Sequence, residues 1–394
     1  MKHDKMHHHG KMMYLSGKRV LPMPITKKTD ITTLIDNMDA YNGGRLRAAC
    51  QLIRKKYSQP DVTIGLSIAG ALTPAGLGPS AIIPLMNHGF VDWLTATGAN
   101  MYHDLHYAFN LPMFRGNPNV NDADLREKGV TRIYDILFDY EDVLMETDRR
   151  LRKIILRPEF QNEMGTREYY HHLGKVINEH EKKNKLGQVS VLAAAYRNGI
   201  PVFTSSPGDS TIGMNVAGLE LLAGASGLTN RFRLKINPSI DVNDSTAIIL
   251  NARKYENGKT GVLLIGGGSP KNFMLQTEPQ IQEVLMIPEA GQDYDINITD
   301  ARPDTGGLSG APPSEAVSWG KLDPKKLDET VTAYVDVTVA FPMLAAYVIQ
   351  STKPKKLKRL YDRGEELREK LIASYLKNNK EVTELRGLMK KLPK

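Results

Sequence analysis

The chain is poor in the residues that would give away a special environment. It has one cysteine, Cys50, among 394 residues. A single thiol excludes an intrachain disulfide and suits a reducing compartment, so a cytoplasmic protein is expected. No apolar run approaches the ~18 residues that a membrane span needs, which argues against a membrane protein. The first residues are basic and histidine-rich but lack an apolar h-region, and do not read as a secretory signal. No histidine occurs after His180. No GxGxxG fingerprint is present, so no single motif announces a nucleotide.

Positive and negative charge are balanced in the body. The net charge is +8, and residues 353–394 hold 14 Lys/Arg against 6 Asp/Glu, which accounts for all of it. The body is near neutral and carries no basic stripe interleaved with aromatics, so a nucleic-acid partner is not expected. The basic tail has Leu357, Leu360, Leu367, Leu371 and Tyr375 at mostly helical spacing, and reads as an amphipathic helix packed on the body or on another subunit. His3, His7, His8 and His9 lack the rigid spacing of a metal site, and no metal is expected.

What is present is an alternation. Apolar runs at 62–68, 91–95, 201–204, 261–265 and 332–337 have strand length. Helical patterns lie at 43–56, 79–88, 167–181, 189–197, 244–255 and 342–352. The alternation predicts an α/β protein, a Rossmann-like, mostly parallel sheet with helices on both faces. Residues 1–39 read as an N-terminal extension, 40–352 as one catalytic domain and 353–394 as the tail. The turn-rich stretch 288–313 reads as a long loop, of the kind that usually serves function. In such sheets ligands bind at the carboxyl ends of the strands. Residues 69–76, 95–99 and 266–269 are small and turn-forming there, and together suit a dinucleotide crevice.

Residues 314–321 read SEAVSWGK. Lys321 follows Trp319-Gly320 in a segment of small and apolar residues, with Glu315 six positions upstream. A desolvated lysine loses its proton readily. Its neutral amine is a nucleophile whose usual product is an imine. An ordinary surface lysine beside a core tryptophan is the plain alternative.

With Tyr334-Val335-Asp336, Phe341-Pro342, the strand–loop region 62–104, Leu125-Arg126-Glu127-Lys128-Gly129, Val202-Phe203 with Asp209, and Ile265-Gly266-Gly267-Gly268, this run resembles the deoxyhypusine synthase family over roughly residues 40–350. The resemblance implies NAD as a tightly held cofactor at the carboxyl ends of the strands, and transfer of the 4-aminobutyl group of spermidine to an amine acceptor. It implies that Lys321 forms the enzyme imine and that Glu315 and Trp319 line the polyamine channel, a carboxylate and an aromatic face both attracting ammonium. Thr97, Gly98, Asp209, Gly266, Gly267, Gly268 and Asp336 match NAD-contacting positions, and Ser309 a small residue near the nicotinamide. Asp336 reads as mid-strand between apolar neighbours. A homotetramer with shared sites is implied as well.

The departures fall on the substrate side. Asn272 stands where eukaryotic and archaeal members carry a catalytic histidine. Met214 and Asn215 replace a carboxylate past Asp209, Tyr102 and His103 replace acidic residues after the Thr97-Gly98 turn, and the loop 302–308 is less acidic than the family's. His103 is a candidate substitute base from the opposite side of the crevice. The pattern resembles the bacterial-type branch, some of whose members look like homospermidine synthases with putrescine as acceptor. Three readings stay open: a transferase acting on a protein lysine or small diamine, a non-catalytic NAD- or polyamine-binding paralogue, and an NAD-consuming deacylase on a similar fold.

Overall fold

The computed structural model describes residues 14–17, 19–377 and 380–393. His3, His7, His8 and His9 lie outside them. Six strands form the central sheet: β1 (Val62–Ile68), β2 (Trp93–Ala96), β3 (Val202–Phe203), β4 (Lys259–Ile265), β5 (Tyr294–Thr299) and β6 (Thr330–Tyr334). Their order is β6-β5-β4-β1-β2-β3 and every pairing is parallel. The two longest strands lie at the centre, paired from Val62 against Lys259 to Ile68 against Ile265.

The helices used below are α1 (Tyr41–Leu52), α2 (Gly98–Ala108), α3 (Thr211–Ala225), α4 (Pro238–Leu250), α5 (Gly268–Leu275), α6 (Pro313–Ser318), α7 (Val337–Ser351) and α8 (Gly364–Leu376). A parallel sheet needs cover on both faces, and β4 shows why this one has it. Leu263 and Ile265 join the core cluster that contains Leu46 of α1, Met101 of α2 and Phe341 of α7. Val262 and Leu264, pointing the other way, join Ile249 of α4, Met274 of α5 and Leu367 of α8. Each such fully buried side chain contributes about 2 kcal/mol by leaving water. Part of the basic tail is thus core: Leu360, Leu367 and Leu371 are buried, and Arg368 Nε reaches Asp244 on α4 at 2.8 Å.

The alternation of strands and helices is borne out. The stretch 288–313, expected as one long loop, is corrected: it contains β5, a buried strand paired on both sides. Its apolar residues Ile296 and Ile298 alternate with Asp295, Asn297 and Thr299, yet all six strand residues are buried. Polar residues on a buried face hide it from an apolar-run search. The strand expected at 332–337 ends at Tyr334, and Asp336 is the N-cap of α7 rather than a mid-strand residue. Helices α2, α3 and α5 lie outside the helical patterns given above. Among the described residues, no helix is long and apolar enough to cross a membrane.

Candidate active site

The chain leaves the paired strands β1 and β4 toward opposite edges of the sheet, so a crevice opens beyond their carboxyl ends. Thr97, the N-cap of α2, donates from Oγ1 to the Gly70 carbonyl at 2.6 Å and accepts from Asn100 N at 3.2 Å. Asn100 is fully buried. Its Oδ1 accepts from Leu72 N at 2.7 Å, and its Nδ2 donates to Gly70 O at 3.1 Å. One amide therefore fixes the turn after β1 against the turn after β2. Gly98 lies so close to Ser210 that a Cβ would sit 2.2 Å from its hydroxyl, which brings the exposed Asp209 turn to the start of α2.

The loop after β4 is closed from the other side. Ser309 Oγ accepts from Gly268 N at 3.0 Å, and a Cβ on Gly267 would lie 2.3 Å from Ser309 Cα. Ser269 Oγ donates to Ser205 Oγ at 2.6 Å, joining the turns after β3 and β4. The fold thus gathers Thr97, Gly98, Asp209, Gly266, Gly267, Gly268 and Ser309 around the carboxyl ends of β2, β3 and β4. Asp336 stands at the end of β6, exposed, its Oδ1 accepting from Thr338 N at 2.8 Å.

Helix α5 starts in the glycine loop and carries Lys271 and Asn272 into a cavity of about 310 Å³. Lys321 lines the same cavity and is only 8% exposed. Its backbone is pinned on both sides: Lys321 N donates to Ala316 O at 3.0 Å, and Lys321 O accepts from Gln292 N at 3.0 Å. Gln282 Nε2 holds the preceding Gly320 carbonyl at 2.7 Å. The side chain ends with Nζ donating to Asn272 Oδ1 at 3.2 Å, 5.6 Å from the centre of the Trp319 ring. Trp319 and Glu315 line the cavity too. Burial lowers the Lys321 pKa, against the opposing charges of Glu315 and Glu283. A pinned, desolvated amine facing a cavity is the arrangement that imine chemistry requires.

Two further groups lie in this cavity that the motifs did not mark. Lys271 is 3% exposed; its Nζ donates to Ala311 O at 2.9 Å, and burial lowers its pKa. The Asn297 amide makes both of its contacts when its oxygen faces Lys271 Nζ (3.2 Å) and its nitrogen faces the Gly266 carbonyl (3.3 Å). Asp295, on β5, is also 3% exposed, and burial pushes its carboxyl up to about 7 against the pull of Lys271. The only sequence signal for Asp295 is an acid inside an otherwise strand-like run, once that run is recognised as a strand.

A family model, described as deoxyhypusine synthase, matches residues 30–348. The chain belongs to the deoxyhypusine synthase family. A deoxyhypusine synthase-like protein of Nostoc sp. is 51% identical over 361 residues, covering 91% of this chain and 92% of that one. Another from Thermosynechococcus vestitus is 50% identical over 377 residues, covering 95% and 90%. Probable deoxyhypusine synthase 2 of Methanosarcina acetivorans is 32% identical over 358 residues, covering 89% and 94%. A crystal structure from Entamoeba histolytica, carried as a candidate deoxyhypusine synthase, superposes with a TM-score of 0.50 at 16% identity, covering 86% of this chain and 99% of that one. It shares the fold.

Within this family framework, His103 is placed away from the Lys321 cavity. It lies inside α2, with Nδ1 3.0 Å from His106 Nε2 and its ring edge-on to Phe138. Burial pushes it down to about 4. His106 in turn bonds Thr147 Oγ1 at 3.0 Å, so the pair is knit into the packing between α2 and its neighbours. Asn215 is buried and bonded to Asp148 (2.9 Å) and Arg152 (2.6 Å), whereas Met214 is exposed.

Proposed function

We propose that this member of the deoxyhypusine synthase family is an NAD-dependent aminobutyltransferase, taking the 4-aminobutyl group of spermidine onto Lys321 and passing it to an amine acceptor. The observation that carries the reading is Lys321 itself: a buried lysine with lowered pKa, pinned on both flanks, facing a cavity also lined by Trp319 and Glu315.

The crevice residues fit a dinucleotide. Gly268 has a φ of +59° and a Cβ there would meet nothing within 4 Å, so the backbone leaves room at the start of α5. The N-terminus of α2, capped by Thr97, lies at the same end of the sheet and favours phosphate. Gly266, Gly267, Gly268, Thr97, Gly98, Asp209, Ser309 and Asp336 would hold the cofactor. NAD, when bound, would take a hydride from the carbon beside the amine nitrogen and return it at the end. Lys321 supplies the amine that displaces 1,3-diaminopropane from the oxidised carbon, forming the enzyme imine. Asn272 orients the Lys321 nitrogen, and Trp319 and Glu315 attract the cationic chain. The acceptor amine then displaces Lys321, which regains its free amine.

We propose a small diamine such as putrescine as that acceptor, as in a homospermidine synthase, because a cavity of about 310 Å³ suits a chain of a few carbons. A non-catalytic paralogue has no use for a desolvated lysine pinned in this way. We also propose a cytoplasmic homotetramer with shared sites. Met214, Leu221 and Leu222 on α3 are 60–76% exposed, an apolar surface suited to a second copy.

The test is borohydride trapping with NAD and spermidine. An adduct mapped to Lys321, absent in Lys321→Ala, is expected, and homospermidine is the expected product when putrescine is added. Wild-type protein with no adduct from any amine would sink the reading.

A further inference from the structure

We propose that Asp295 is the carboxylate that binds a cationic nitrogen of the amine in the Lys321 cavity. The inference rests on the transferase reading above and adds the residue that recognises the substrate's charge.

Asp295 lines the same cavity as Lys321 and Trp319. It lies near the start of β5, beside the edge strand β6, on a strand whose six residues are all buried and where a carboxylate has no packing reason to be. Its Oδ1 is fully buried with no hydrogen-bond partner, and among the described residues no cationic side chain comes within ion-pair distance of it. The ammonium that does act on it from a distance, Lys271, is directed to the Ala311 carbonyl at 2.9 Å and to Asn297. A buried carboxylate without a partner is among the most unfavourable groups a fold can carry. A strand keeps one where a ligand completes it, and an acceptor-only group is completed by a cation.

The rest of the cavity describes that cation. Leu275, Leu308 and Pro313 give apolar walls for methylene groups, and the Trp319 ring attracts an ammonium. About 310 Å³ accommodates a chain of a few carbons with a nitrogen at each end. Lys321 then meets the reacting carbon while Asp295 holds a nitrogen that does not react. A monoamine lacking that second nitrogen gains nothing from Asp295.

The experiment is equilibrium dialysis of radiolabelled putrescine, spermidine and 1-aminobutane with the purified full-length protein, wild type, Asp295→Asn and Asp295→Ala, at pH 8. Both variants are expected to bind putrescine and spermidine at least tenfold more weakly, with 1-aminobutane little changed. The melting temperature of Asp295→Asn is expected to equal or exceed that of the wild type. A loss below tenfold overturns the proposal. So does a lowered melting temperature in Asp295→Asn, which would assign the carboxylate to the framework of the fold. Wild-type protein that binds neither diamine nor triamine and forms no Lys321 adduct removes the transferase reading itself, a result distinct from variants that bind as well as the wild type.

Discussion

Lys321 Nζ donates to Asn272 Oδ1 across 3.2 Å, so the proposed nucleophile is held by a side chain that cannot itself take a proton at neutral pH. A carbonyl oxygen favours an ammonium over a neutral amine, but far less than a carboxylate would. Burial outweighs the opposing charges of Glu315 and Glu283 and lowers the Lys321 pKa.

Replacing that oxygen with a charged one reverses the balance. Asn272→Asp sets a carboxylate against Lys321 and favours its ammonium form. Attack needs the neutral amine, so the rate limb that rises with pH is expected to move about one unit or more to higher pH. A profile of adduct formation from pH 6 to 10 checks it. An unshifted limb would mean that Lys321 deprotonation does not set that limb.

The site was legible in part. Lys321, Trp319 and Glu315 were found because they are contiguous in sequence, and the fold brings them to one cavity. The turns after β2 and β4 were found because glycine and small residues end apolar runs. Asp336 was placed mid-strand because Val335 and Val337 flank it, whereas backbone geometry ends the strand at Tyr334 and makes the aspartate a helix cap. His103 looked available as a base because nothing in the one-dimensional pattern shows that α2 turns it toward His106 and Phe138. Lys271 and Asp295 fall outside the motifs for a shared reason. Each is polar and buried, and only tertiary packing brings both to the Lys321 cavity.

Ser309 is expected to act on the cofactor crevice through the glycine loop. Its hydroxyl accepts from Gly268 N at 3.0 Å. Ser309→Ala removes about 1 kcal/mol of loop restraint. NAD affinity, measured by titration calorimetry, is expected to fall about fivefold, with Ser309→Thr recovering part of the loss only where its extra methyl is tolerated beside Gly267. Unchanged affinity in Ser309→Ala would mean that the loop keeps its shape without the serine.

The Asp295 carboxyl gives a pH signature of its own. It titrates near 3.8 in an unfolded chain and is pushed up to about 7 in the fold, chiefly by burial. Between these values the folded protein holds a proton that the unfolded chain has lost, so Asp295 makes stability fall as pH rises from about 4 to 7. Asp295→Asn lacks this dependence. Its stability relative to wild type is expected to rise across that window by on the order of 4 kcal/mol and to level off above pH 7. Asp92, Asp104 and Asp241, each pushed up to about 6, are common to both proteins and drop out of the difference. Urea unfolding at pH 4.5, 6, 7 and 8.5 measures it, and parallel stability profiles would show that Asp295 is relieved by its surroundings after all. Spermidine is expected to narrow the gap at pH 8.5, because a bound cation stabilises the wild type and gives the amide variant far less.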